Sequence, residues 1–255
     1  MNMELLDWSI LGPAIVAGLL VLSTHIPLGQ EVLKRGIIFI DLAIAQIAGL
    51  GVLAAGVMEW EDNLWAVQLS AVSAALLASA CLHWTEKRWP KSQEPLIGIL
   101  FVLAATGSIL LLAENPHGAQ HLKDLLVGQI LWSTWQSLIP VALLYGLLLT
   151  IWFKWHHQIG HRGFYIIFAF VVTASVQLVG VYLVFASLII PALATQQLRG
   201  LRRLIAGYSL GAVAFITGIS LSALFDLPTG AVTVWTMALF AVVTGTLLGY
   251  KSANA

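Results

Sequence analysis

Long apolar runs separated by short polar stretches dominate this chain, at 9–29, 36–58, 65–84, 96–113, 135–154, 164–194, 204–225 and 228–250. Most of them have the ~20 residues that a helix needs to cross a ~30 Å hydrocarbon core once. The run 164–194 is too long for a simple crossing, and it carries Gly180 in its middle and Pro191 near its end. Two short helices broken near Gly180 fit that length, and so does one tilted helix running on along the interface. The pattern predicts an all-α, polytopic transmembrane helix bundle of eight to nine membrane segments, organised as one transmembrane domain over 1–255.

Composition narrows this further. Of 255 residues, 59% are hydrophobic and 9% charged, and the formal net charge is zero, so nothing points to a nucleic-acid partner. The single Cys81 removes any disulfide framework or thiolate metal cluster. The opening residues carry Glu4 and Asp7 but no base, so the first span reads as an uncleaved helix and not as a signal peptide. The polar stretches 85–95, 114–124 and 155–163 are too short to fold as a soluble domain. The segment from Gly245 to Ser252 has the wrong spacing for a phosphate-binding loop and no strand before it. Energy for active transport must then come from an ion gradient or from another polypeptide.

Charge placement suggests an orientation. If 164–194 goes in and back, Lys123 lies alone on one side, and the other eleven Lys and Arg residues share the opposite side. By the positive-inside rule the N-terminus is then external and the C-terminus cytoplasmic, with the chain in the inner (plasma) membrane. Trp60, Trp65, Trp84, Trp89, Trp132, Trp135, Trp152 and Trp155 cluster at span ends, as an aromatic belt requires.

Against this apolar background the polar residues stand out. Asp41 lies roughly one and a half helical turns past Lys34-Arg35. A carboxylate there costs about 2.5–3.5 kcal/mol on insertion scales, and such groups usually face a bundle interior or a water-filled path. A carboxylate reaching back to Lys34, Arg35 or the headgroups is the plainer alternative. Gln46, five residues on, projects about 140° away from Asp41 on a straight helix. The small residues Ala43, Ala45, Ala48, Gly49, Gly51, Ala54 and Ala55 predict close packing for this span. Thr173, Ser175, Gln177 and Ser187 flank Gly180 and either glue helices together or line a path. His25, before Pro27, is a polar helix end or a pathway group. Glu114, His117 and His121 have a spacing that clasps a divalent metal on a helix, or else form a solvated loop. His156, His157 and His161 lie in a basic loop that could meet a partner protein, sense metal or simply be solvated; His83 reads as interfacial.

Three stretches carry a family resemblance. Lys34-Arg35 followed by Gly36 to Gly51 resembles a basic pair and a Gly-Asp-x-x-x-His helix. Val179-Gly180-Val-Tyr-Leu-Val-Phe-Ala-Ser187-Leu-Ile-Ile-Pro191-Ala is similar to a Val-Gly-x-x-Leu-Val-x-x-x-Leu-Ile-x-Pro-Ala element. Asp226-Leu-Pro228-Thr-Gly230 resembles an Asp-x-Pro-x-Gly turn before a last span. All three belong to the permease subunits of bacterial metal-ion (zinc/manganese/iron) ABC importers, of which this chain looks like a divergent member.

The resemblance implies alternating access by two permease copies, a cytoplasmic ATP-binding subunit and a periplasmic or extracellular metal-binding protein. The implied cargo is a divalent metal ion, zinc first and manganese or iron next, with no permanently bound cofactor. Asp41, Gln46, Gln177 and His25 are then the pathway candidates. His156, His157, His161, Arg199, Arg202 and Arg203 are the candidates for docking the ATPase. Two departures stand out: Gln46 occupies the place of the family's histidine, and only 155–163 replaces its longer cytoplasmic stretch. The rival expectation is a gradient-driven, proton-coupled transporter with Asp41 as the proton site. A membrane assembly subunit that transports nothing is a third.

Overall fold

Helix formation follows the apolar runs closely. The computed structural model describes residues 8–58, 60, 63–112, 118–155 and 158–253. Among these, ten α-helices occur and no strand: α1 (Trp8–Arg35), α2 (Ile40–Val57), α3 (Leu64–Arg88), α4 (Gln93–Leu111), α5 (Gly118–Val127), α6 (Trp135–Trp155), α7 (Gly160–Val179), α8 (Val181–Ala194), α9 (Gly200–Phe225) and α10 (Thr229–Ala253). Eight candidate spans have the length and hydropathy to cross a membrane, and α8 is a shorter apolar helix. The chain is therefore an all-α, multi-pass membrane protein.

The long run 164–194 is two helices. Gly180, at φ 79 and ψ 162, ends α7 and precedes α8. That backbone conformation is costly for side-chain-bearing L-residues and open at little cost only to glycine. Two boundaries differ from the sequence reading. α1 runs on through Pro27 to Arg35, and α5 is a ten-residue helix where part of a polar loop was expected. Hydropathy over a long window overlooks α5, because its apolar residues form a single stripe among Gln120, His121, Lys123 and Asp124.

The chain divides into two compact units. Unit 1 comprises Met1–Gly36, Val127–Gly146 and Leu178–Ala255, and within it α1, α8, α9 and α10 pack on one another. Close approach depends on small residues: a Cβ at Gly29 would collide with the Leu188 carbonyl, and one at Gly211 would fall 2.5 Å from Leu22. Pro27 inside α1 cannot donate to the carbonyl four residues back, that of Ser23. The Tyr208 hydroxyl of α9 donates to that carbonyl instead, at 2.9 Å, so the proline leaves no orphan acceptor. Thr236 of α10 likewise donates to the Ala214 carbonyl of α9 at 3.1 Å. Asp226, in the left-handed region at φ 53, closes α9, and Ser222 donates to the Leu227 carbonyl at 2.6 Å to form the turn into α10.

Unit 2 comprises Ile37–Leu126 and Leu147–Gln177. Here α2 packs against α3 and α4. Ser70 of α3 donates to the Gly51 carbonyl at 2.7 Å, and a Cβ at Gly51 would lie 2.8 Å from the Ser70 carbonyl oxygen. The small-residue face of α2 thus lets two backbones meet, as its composition predicted. Seven of the eight span-end tryptophans are exposed; Trp152 is instead 6% exposed and packs on Phe164, ring centroids 6.2 Å apart.

Candidate functional site

The approach to Asp41 is built from the turn between α1 and α2. Arg35 pairs with Glu31 at 2.9 Å, and Lys34 pairs with the same carboxylate at 3.8 Å. Gly36, at φ 71, stops α1 in the left-handed C-terminal manner. The Ile38 N–H, an orphan donor ahead of α2, donates to Oε1 of Glu94 in the first turn of α4. Asp41 follows in the first turn of α2 and is fully buried, at 0% exposure. Its oxygens lie near the N–H groups of its own turn, yet neither is in hydrogen-bonding geometry with any group.

Gln46 is also buried, at 1% exposure. Its Nε2 lies 3.5 Å from the Ser108 hydroxyl, which donates to the Ala104 carbonyl at 3.0 Å. The Gln46 carbonyl oxygen has no partner. Gln177 is exposed and forms a reciprocal amide pair with Gln68, at 2.5 and 3.2 Å. These three residues belong to unit 2, and no hydrogen bond joins any two of them.

His25 belongs to unit 1 and is fully buried. Its Nδ1 lies 2.7 Å from the Ser187 hydroxyl, and that hydroxyl donates its one proton to the Val184 carbonyl at 3.0 Å. With that hydroxyl proton on Val184, the His25 tautomer that completes the contact is the one protonated at Nδ1. This ties the middle of α1 to α8 just past the Gly180 break, a structural duty that accounts for a buried histidine here. Replacing Ser187 by alanine removes that acceptor and is expected to cost about 1–3 kcal/mol. The check is the thermal midpoint of the detergent-solubilised protein, which should fall.

Of the proposed external metal cluster, Glu114 and His117 lie outside the described residues, and His121 is exposed on α5. Among the described residues no three His, Cys, Asp or Glu side chains are grouped to hold a metal ion. Of the docking candidates, His156 and His157 also lie outside the described residues. His161 is engaged with Glu86 at 3.2 Å beside a cavity of about 680 Å³ lined by His83, Glu86, Lys87 and Arg162. Arg199 and Arg202 are exposed, whereas Arg203 turns inward and donates from Nη2 to the Ala192 carbonyl at 3.2 Å, capping the end of α8. Sequence reasoning missed Glu94, Ser108 and Gln68. Glu94 did carry a signal: it is an acid immediately before an apolar run, next to Pro95, where helices start.

The chain matches a model described as the ABC 3 transport family over residues 7–160 and 156–247. It is 26% identical over 249 residues to an uncharacterized membrane protein of Synechocystis sp., covering 89% of this chain and 87% of that protein. Its fold is similar to that of PsaBC from Streptococcus pneumoniae in complex with Fab, with a TM-score of 0.78, 19% identity, and 96% of this chain and 95% of that one covered. It is also similar to a structure described as a metal-chelate type ABC transporter in an inward-facing conformation, with a TM-score of 0.71, 16% identity, and 94% and 85% covered.

Proposed function

The chain belongs to the ABC 3 transport family, and from that premise we propose that it is the membrane permease of an importer for a divalent transition-metal ion. As a permease it is a transport component and not an enzyme. ATP hydrolysis lies in a separate ATP-binding subunit, and a substrate-binding protein delivers the cargo. Zinc, manganese and iron are the candidate cargoes. Two copies of the chain enclose the path, with the N-terminus external and the C-terminus cytoplasmic, as the distribution of Lys and Arg favours. Alternating access moves the ion past transient oxygen contacts too weak to trap it.

One observation carries the reading: Asp41, in a helix long and apolar enough to cross a membrane, is fully buried with both carboxylate oxygens unpartnered. A group so costly to bury is retained for a ligand. The test is purification from the native membrane followed by reconstitution in vesicles. An ATP-binding subunit should accompany the chain, and zinc or manganese uptake should require ATP. Uptake by the chain alone, abolished when the proton gradient is collapsed, would replace this reading with a gradient-driven one.

A further inference from the structure

The cavity of about 680 Å³ in unit 2 is lined by the last turns of α3 and the first turn of α7, and neither Asp41 nor Gln46 reaches it. Its base is fixed: Ser79 of α3 donates to the Tyr165 carbonyl of α7 at 3.2 Å, and the His83 ring packs on Tyr165 with centroids 5.5 Å apart. Glu86 stands between two imidazoles, 3.2 Å from Nδ1 of His161 and 3.7 Å from Nδ1 of His83. Those ion pairs leave out Lys87 and Arg162, two exposed bases on the same wall, so basic groups outnumber the acid even with both histidines neutral. His83 is the group the fold leaves unfinished. Both of its ring nitrogens are buried with no hydrogen bond among the described residues. Either neutral tautomer carries one N–H, and 3.7 Å to Glu86 is too long to satisfy it. A buried donor in that position calls for an acceptor.

We propose that this cavity binds a phosphate oxyanion, carried by the headgroup of an anionic phospholipid. Lys87 and Arg162 supply the charge, and the guanidinium adds a planar pair of donors matched to phosphate oxygens. His83 supplies the N–H. Pro90 and Ile159 complete the wall with apolar surface, which suits an amphiphile better than a free ion. The depth is that of the headgroups: α3 and α7 are both candidate membrane spans, and Trp84 and Trp89, exposed and 5.2 Å apart edge to face, flank Lys87 in sequence as interfacial tryptophans do. Basic pockets between membrane helices hold anionic lipid heads for these reasons. A cation is disfavoured by the two bases, and no three ligating side chains among the described residues are grouped to hold a metal ion. The inference is independent of the cargo that the chain carries.

The experiment titrates dioleoylphosphatidylglycerol, with zwitterionic dioleoylphosphatidylcholine for comparison, into the detergent-purified full-length chain and counts retained lipids by native mass spectrometry. Wild type should retain one phosphatidylglycerol per chain, at a concentration at least about tenfold below that needed for phosphatidylcholine. Lys87→Gln and Arg162→Gln should each weaken retention about fivefold, the worth of one base near an anionic lipid surface. Both side chains are exposed, so folding tolerates the changes. His83→Phe keeps a ring against Tyr165 but removes the N–H, and should weaken retention too. Lys91→Gln, at an exposed base outside the cavity, should bind as wild type does. Equal losses for Lys87→Gln and Lys91→Gln would reveal diffuse surface attraction and overturn the site. Glu86→Gln gives the sharpest sign: an anion gains when the acid is neutralised, whereas weaker retention would mark a cation site or a purely structural cluster and sink the proposal. Inorganic phosphate decides the source. Failure to displace the lipid supports the headgroup, and displacement at comparable concentration would make the ligand a free anion and overturn the lipid assignment. Metal uptake is not the readout, so none of these outcomes touches the permease reading.

Discussion

Asp41→Asn is expected to cut ATP-driven metal uptake by at least about tenfold, the equivalent of ~1.4 kcal/mol, while leaving insertion and folding unchanged. The substitution is nearly isosteric, so packing around a fully buried side chain is preserved. Folding has little to lose. A carboxylate in the first turn of α2 contributes at most about 0.3–1 kcal/mol through the helix dipole. Against that, an uncompensated buried charge disappears, which relieves desolvation. The cation, by contrast, loses an anionic contact that a neutral amide replaces poorly. Uptake by reconstituted vesicles, set beside thermal midpoints of the same preparations, separates the two effects. Normal uptake in the variant would remove Asp41 from the path.

The second large effect is expected at the Gly180 break. Gly180 at φ 79 and Gly128 at φ 73 press backbone against backbone: a Cβ on Gly128 would overlap the Val179 carbonyl, and one on Gly180 would overlap the Gly128 N. Gly230, in the first turn of α10, closes the same junction, since its Cβ would strike the Val127 carbonyl oxygen. Gly180→Ala combines a strained φ, worth ~1–3 kcal/mol, with overpacking of similar size. A loss of roughly 2–6 kcal/mol follows from those two terms, enough to consume much of a typical domain's stability. Gly128→Ala should behave alike. Gly146→Ala, in the middle of α6 with open space around it, should be neutral or stabilise by up to ~1 kcal/mol. Monodisperse elution and thermal midpoint in detergent distinguish the three variants. Equal stability of Gly180→Ala and Gly146→Ala would show that the junction tolerates side chains.

Much of this molecule was legible in its hydropathy alone. Runs of ~20 apolar residues specify membrane helices because unpaired backbone groups are too costly in hydrocarbon for any other open structure. Gly180 was readable as a break, since a glycine in an overlong apolar run is where the chain can adopt positive φ. Asp41 was readable as a buried, expensive group, and the small residues of α2 as a close-packing face. α5 was not legible, because a short amphipathic helix carries little mean hydropathy. Nor was the inward turn of Trp152 and Arg203, which depends on what Phe164 and the end of α8 present to them.

Sequence by itself determined the membrane class, the spans, the break at Gly180 and the identity of the one costly carboxylate, because each follows from local chemistry within a single helix. Only the tertiary structure decided what those groups meet. It paired His25 with Ser187 across 162 positions, gave the Ser23 carbonyl left by Pro27 to Tyr208, and set Glu94 at the turn that carries Asp41. Such pairings come from helix packing between distant segments, and a carboxylate's burial and partners are properties of that packing, to which the local pattern is blind.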